Sequence, residues 1–200
     1  MVHDPIGALA QAVARAGESS SDFDLNPKVE LPPNRKLRPA GVLVPVLVSE
    51  QGARLYLTKR SSVLKHHPGQ IAFPGGKQDP DDPDIVATAL REAREEIGLD
   101  PSNVEIIGQT PQHETVTGFI VTPVIARVLN PFQPVAEAGE VEEVFSVPLD
   151  HVLDPRLYSI QARYWQGSLR RYYTVPYGSY YIWGATARIL RAIAETVDRT

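Results

Sequence analysis

Three glutamates, Glu92, Glu95 and Glu96, crowd into the short run REAREE near the middle of the chain. An α-helix turns about 100° per residue, so positions three and four apart share one face. Carboxylates gathered that way repel, and the crowding costs stability unless a cation or bound water spreads the charge. A hard, oxygen-seeking divalent cation would relieve it, so metal-assisted chemistry is the first expectation. A solvated helix face laced with i,i+4 ion pairs is the plainer reading, and Arg91 and Arg94 are placed to supply those pairs. Upstream, the Gly75–Gly76 pair lets main chain pass close to a metal or phosphate with no side chain in the way, and Lys77 adds positive charge.

These residues need a helix to carry them. Asp82 reads as its N-cap, Pro83 as its first residue, Asp84 as a complement to the dipole, and Gly98 as a left-handed C-cap. Val86, Ala89, Leu90, Ala93 and Ile97 recur with helical period and form a stripe for a core. Glu96 borders that stripe, while Glu92 and Glu95 lie farther round. The preceding acidic loop DPDDPD is not an EF-hand: with Asp79 as first ligand, Asp84 occupies the glycine position and Leu90 the terminal glutamate position.

Gly75 to Leu99, GGKQDPDDPDIVATALREAREEIGL, closely resembles the Nudix box, G-x5-E-x7-R-E-U-x-E-E-x-G-U, where U is bulky and apolar. Arg91, Glu92, Glu95, Glu96, Gly98 and Leu99 match its helical half in order and spacing. Asp82 stands in place of the loop glutamate, eight residues rather than seven separate it from Arg91, and Ala93 is smaller than the usual apolar residue. The resemblance implies that Glu92, Glu95 and Glu96, with the backbone of Gly76, hold Mg2+ or Mn2+. It also implies hydrolysis of a diphosphate joined to another moiety, with Arg91 orienting the glutamates. Chemistry agrees: a diphosphate repels an attacking hydroxide unless cations neutralise it and acidify a coordinated water. Nudix enzymes often recruit another acid from a later loop, and Glu140, ahead of VEEVFSVPL, is the candidate ligand or base.

The run before the box, LTKRSSVLKHHPGQIAFPGG, resembles the signature of the coenzyme A pyrophosphatase branch, L-x-x-R-S-x-x-L-x-x-H-x-G-x-x-x-F-P-G-G. Arg60, Ser61, Leu64, His67, Gly69, Phe73, Pro74, Gly75 and Gly76 match it. Lys59, Arg60, Lys65, His66 and His67 also form a basic island in a chain of net charge −4, which suits an extra phosphate. The resemblance implies that Lys59, Arg60, Ser61, His67, Gly75, Gly76 and Lys77 contact coenzyme A or an acyl-coenzyme A, which is split to 3′,5′-ADP and (acyl-)4′-phosphopantetheine. ADP-ribose, NDP-sugars and dinucleoside polyphosphates are the alternative substrates. A non-catalytic nucleotide-binding module is the alternative of another class, disfavoured because all three glutamates are present.

Two hundred residues with 42% hydrophobic content can bury one sizeable core. With no cysteine there is no disulfide or thiolate chemistry, which fits a cytoplasmic protein. The start, HDPIGALAQAVARAG, reads as a short helix capped by Asp4 with Pro5 first, not as a signal peptide, and no apolar run is long enough for a bilayer. Mild negative charge argues against nucleic-acid binding. Residues 1–39 read as an N-terminal helix and extended arm, and 40–200 as the catalytic domain. Strands are expected over 40–48, 54–58, 71–73, 104–108, 119–129 and 142–147, with Pro123 marking a bulge or edge. A hairpin is expected around Gln166–Gly167 and a closing helix over 182–197. The fold class is α/β, and the resemblance implies a Nudix-type α/β/α sandwich with a mixed β-sheet. Tyr172, Tyr173, Tyr177, Tyr180, Tyr181 and Trp183 suit core packing, adenine stacking or an acyl tunnel, and this segment also offers a homodimer interface.

Overall fold

Apolar strand runs and two amphipathic helices arrange the chain in layers. A computed structural model describes residues 4–15, 17–29, 31, 34–64, 68–165 and 167–198. Its elements in order are α1 (Pro5–Ala14), β1 (Ser20–Ser21), β2 (Arg38–Ser49), β3 (Gly52–Arg60), β4 (Ile71–Ala72), β5 (Gly75–Lys77) and α2 (Ile85–Ile97). There follow β6 (Val104–Gln109), β7 (His113–Glu114), β8 (Phe119–Val128), β9 (Val141–Pro148), α3 (Leu149–Val152), β10 (Ser159–Trp165), β11 (Ser168–Thr174) and α4 (Gly184–Asp198).

Among the described residues, nine strands share one mixed sheet in the order β1-β7-β8-β2-β3-β4, with β5 on β2, β6 on β8 and β9 on β3. The central pair β2–β8 is parallel, from Arg38↔Phe119 to Leu47↔Val128. Both strands are buried on both faces, which explains their nearly continuous apolar runs. On one face, Leu43, Val124, Ala126 and Val128 meet Ala89, Ala93 and Ile97 of α2. On the other, Val44, Val46, Val121 and Ile125 meet Leu9 of α1 and Ile189, Leu190 and Ile193 of α4. The fold is therefore an α/β/α sandwich around a mixed sheet. Among the described residues no helix is long and apolar enough to cross a membrane.

Four local expectations need correction. Helix α2 starts at Ile85 with Asp84 as N-cap, its carboxylate accepting from Ala87 N at 2.8 Å; Asp82 does not cap it, because Arg91 has claimed its carboxylate. Helix α4 starts at Gly184, two residues late, because the Ile182 carbonyl still accepts from Val175 N and Thr174 Oγ1 in extended pairing. Pro123 lies in an inner strand and not at an edge: it falls where β8 changes partner from β7 to β6, so the missing N–H disrupts no ladder. The 39/40 division lies inside β2, and the arm before it joins the sheet through β1.

Candidate active site

The site forms where α2 lies over the β2–β5 pair. Gly41 of β2 lets the helix touch the strand directly: a Cβ there would stand 2.6 Å from the Ile85 carbonyl oxygen. Gly75 is as tight, since a Cβ would stand 2.5 Å from the Gly41 carbonyl oxygen. This contact brings the Gly75 N–H to the Glu96 carboxylate, to which it donates at 3.0 Å. Gly76 then passes Glu92, and a Cβ there would stand 2.5 Å from Glu92 Cδ. The glycine pair thus lets two carboxylates approach main chain that any larger residue would hold away.

Arg91 organises the rest. Its Nε and Nη2 donate to the two oxygens of Asp82, each at 3.0 Å, a fork-on-fork pair. Its Nη1 donates to Glu92 Oε1 at 2.8 Å and Glu95 Oε2 at 3.1 Å, and Nη2 reaches the Lys77 carbonyl at 3.3 Å. Asp82 also accepts from Asp79 N and Thr88 Oγ1, so the acidic loop folds back onto the helix it precedes. The Arg91 hydrogen bond holds the Asp82 carboxyl well below the usual carboxylate range.

Glu96 behaves differently. Burial pushes its pKa up to about 7; the Gly75 N–H and Arg60 work against this, while Glu92 and Glu140 reinforce it. Burial also raises Glu92, opposed by Arg91 and reinforced by Glu95 and Glu140. Glu140 is therefore close enough for its charge to act on both helical glutamates. Its loop is fixed from both sides: Glu137 N donates to the Glu96 carbonyl at 3.1 Å, and the Glu140 carbonyl accepts from Ser61 N at 2.8 Å.

The remaining expected residues divide clearly. Arg60 stands at the end of β3 with its charge acting on Glu96, and Ser61 is buried beneath the Glu140 loop. Lys59 is committed to Glu142, Nζ to Oε1 at 2.6 Å, so it is not a free cation facing the glutamates. Lys77 is exposed. His67 lies outside the described residues, as do Lys65 and His66. Arg94 makes no ion pair with the three glutamates among the described residues; its charge acts on Asp100. Tyr180 stacks flat on Phe145, with centroids 3.6 Å apart, and its hydroxyl donates to Glu143 at 2.5 Å. Gly41 and the clamping role of Asp82 escaped sequence reasoning; a lone glycine within an apolar strand run was the available signal for Gly41.

Among the described residues, no three acidic or histidine side chains close into a metal cage as they stand. Glu92 and Glu95 are turned onto Arg91, and Glu96 onto Gly75 N. The donor set still fits a divalent cation. It offers hard carboxylate oxygens, and the buried Glu96 and half-buried Glu92 carry a repulsion that such an ion relieves.

A family model described as the NUDIX domain matches residues 37–166. The chain is 44% identical over 160 residues to a protein of Enterobacter sp. (strain 638) named uncharacterized Nudix hydrolase NudL, covering 78% of this chain and 81% of that one. A like-named protein of Citrobacter koseri is 42% identical over 157 residues, again covering 78% and 81%. Among solved structures, a MutT/nudix family protein from Enterococcus faecalis superposes with TM-score 0.50 at 17% identity, covering 86% of this chain and 66% of that one. The box lies inside the matched region, on a sandwich of the same kind, and on this ground the chain belongs to the Nudix hydrolases.

Proposed function

We propose that this protein is a metal-dependent diphosphatase that splits coenzyme A or its thioesters into 3′,5′-ADP and (acyl-)4′-phosphopantetheine. The observation that carries the reading is the approach of Glu92 and Glu96 to the Gly75–Gly76 main chain of β5, with the charge of Glu140 acting on both and that of Arg60 on Glu96. Nudix hydrolases generally use divalent metals such as Mg2+ or Mn2+. Here Glu92, Glu95 and Glu96, with the backbone of Gly76, would hold them. Such an ion, when bound, neutralises non-bridging phosphate oxygens and makes coordinated water more acidic.

The chain's own groups do the rest. Arg91 keeps Glu92 and Glu95 oriented, and Asp82 keeps Arg91 in place. Glu140, on a separate loop with its charge acting on Glu92 and Glu96, is the acid we assign to accept the proton of the attacking water. Arg60 offsets charge on the diphosphate. The coenzyme A assignment is supported by the run from Leu57 to Gly76, which leads from β3 through β4 to the glycine pair.

The test is a product assay with Mg2+ or Mn2+ against coenzyme A, ADP-ribose, an NDP-sugar and a dinucleoside polyphosphate. Coenzyme A should give 3′,5′-ADP, with activity lost on chelation and reduced by orders of magnitude in Glu96→Gln. Faster turnover of another diphosphate would replace the substrate but keep the chemistry. Nucleotide binding without metal-dependent cleavage would overturn both.

A further inference from the structure

Strands β10 and β11 form a two-stranded ribbon apart from the main sheet, paired from Ser159↔Thr174 to Trp165↔Ser168. The two outer edges of this ribbon differ. Along β11, the Asn26 side chain acts as a surrogate strand: its Nδ2 donates to the Arg171 carbonyl at 2.9 Å, and its Oδ1 accepts from Arg171 N at 2.8 Å. Strand β10 has no partner on its outer edge among the described residues, and residues 159–164 are all exposed.

The Asn26 contact also reveals which groups that open edge presents. Since the Arg171 N–H and C=O point away from β10, Arg171↔Ala162 is a non-hydrogen-bonded pair, and Ala162 must direct its own N–H and C=O outward. By alternation, Ile160 and Tyr164 do the same. An edge of this kind, with no proline, no acid and no bulge, is a template for another strand.

We infer that β10 is the seam of a twofold dimer, in which β10 of one copy pairs antiparallel with β10 of a second copy about Ala162. The register is self-complementary. Ala162 meets its counterpart on the axis, Ile160 meets Tyr164 of the other copy, and Gln161 meets Arg163, so no like charges face each other. The outward groups of Ile160, Ala162 and Tyr164 then form about six main-chain hydrogen bonds, two for each facing pair. One face of the resulting four-stranded ribbon carries an unbroken row of Leu169, Tyr164 and Ile160 of the second copy. In the single chain these residues are 48%, 80% and 50% exposed. Arg163 stays on the opposite face, over the Trp183 ring at 4.2 Å. The two Arg171 residues are separated by three strand spacings, about 14 Å, which exceeds the screening length at physiological salt.

Light scattering coupled to size exclusion, on the full chain at tens of micromolar, should give twice the 22.0 kDa chain mass. Ala162→Pro removes one outward N–H without touching the β10–β11 bonds, and Tyr164→Lys breaks the apolar row. Both should shift the protein toward monomer while keeping its circular dichroism and diphosphatase activity. Because the chain has no cysteine, position 162 also reports register cleanly. Facing hydrogen-bonded residues have Cα atoms about 5.5 Å apart, within disulfide reach. Ala162→Cys should therefore link into covalent dimers under mild oxidation, whereas Ile160→Cys, which faces tyrosine, should not. A monomeric wild type, a dimer that survives both Ala162→Pro and Tyr164→Lys, or failure of Ala162→Cys to link would each overturn the proposal.

Discussion

Arg91 is shared among four carboxylates, Asp79, Asp82, Glu92 and Glu95, and its firmest partner is Asp82, which takes two hydrogen bonds from it. Asp82 replaces the longer glutamate usual at this point of the box, and the loop carrying it has one residue more. It still reaches both sides of the guanidinium fork. The side chain is only 8% exposed, so its loss is not readily made good by water. Asp82→Asn should cost about 1.5–3 kcal/mol in chemical denaturation near neutral pH. The Asp82 pKa is depressed in the folded protein, so its stabilising effect is present above the ordinary carboxylate range and lost as pH falls through the folded value. The difference between variant and wild type should accordingly shrink in acid. Glu96 has the opposite sign. Its pKa rises from 4.5 to about 7, so its contribution is fully present below the ordinary value and is lost as pH rises toward 7. With chelator present, wild-type stability should fall across that window by up to about 3 kcal/mol. Glu96→Gln should flatten the fall, and a parallel decline in the variant would remove Glu96 as its source.

Helix α2 carries Glu92, Glu95 and Glu96, and its height above the sheet is set by a single strand position. At Gly41 a Cβ would stand 2.6 Å from the Ile85 carbonyl oxygen and 3.2 Å from Ala89 N, both main-chain atoms that cannot rotate away. Gly41→Ala should push the helix outward, costing about 1–3 kcal/mol of stability. It should also lower turnover more than a surface substitution of equal stability cost, because Glu92 and Glu96 move with the helix. Thermal melts read beside steady-state rates on the same preparation separate the two effects. This contact marks the limit of what the sequence displays. The stripe Val86, Ala89, Leu90, Ala93 and Ile97 was legible because burial imposes a helical period, and Gly98 because a left-handed cap at φ 69° favours glycine. The N-terminal boundary was not, since DPDDPD offers several equivalent caps. Only the Asp82–Arg91 pairing, a contact made by folding the loop back, decides between Asp82 and Asp84. Likewise the three glutamates announced a site, but Gly41 became significant only once a helix lay on its strand.

At the scale of the whole molecule, the segment before β2 binds parts of the fold that the main sheet alone does not join. Helix α1 places Leu9 in the core beneath α4. Ser20 and Asp22 then hold the fully buried His113 from its two ring nitrogens, at 2.9 and 3.1 Å, across more than ninety residues of sequence. Arg35 pairs with Glu114, Asp24 with Arg188 of α4, and Asn26 with the backbone of β11. Short polar residues such as these look like linker in a sequence, because each partner is distant and no period marks it. In the fold they satisfy buried donors and acceptors, so the segment acts as a strap joining the sheet edge, α4 and the ribbon. Among the described residues no hydrogen bond ties this strap to Glu92, Glu95 or Glu96, which allows its structural role to be measured apart from catalysis. Asn26→Ala strips both partners from the Arg171 main chain at a part-buried position and should destabilise the fold by about 1–3 kcal/mol. Midpoints from urea titration should fall while kcat and KM stay at wild-type values. A loss of turnover at temperatures where Asn26→Ala remains folded would instead show that the strap holds the active site as well as the fold.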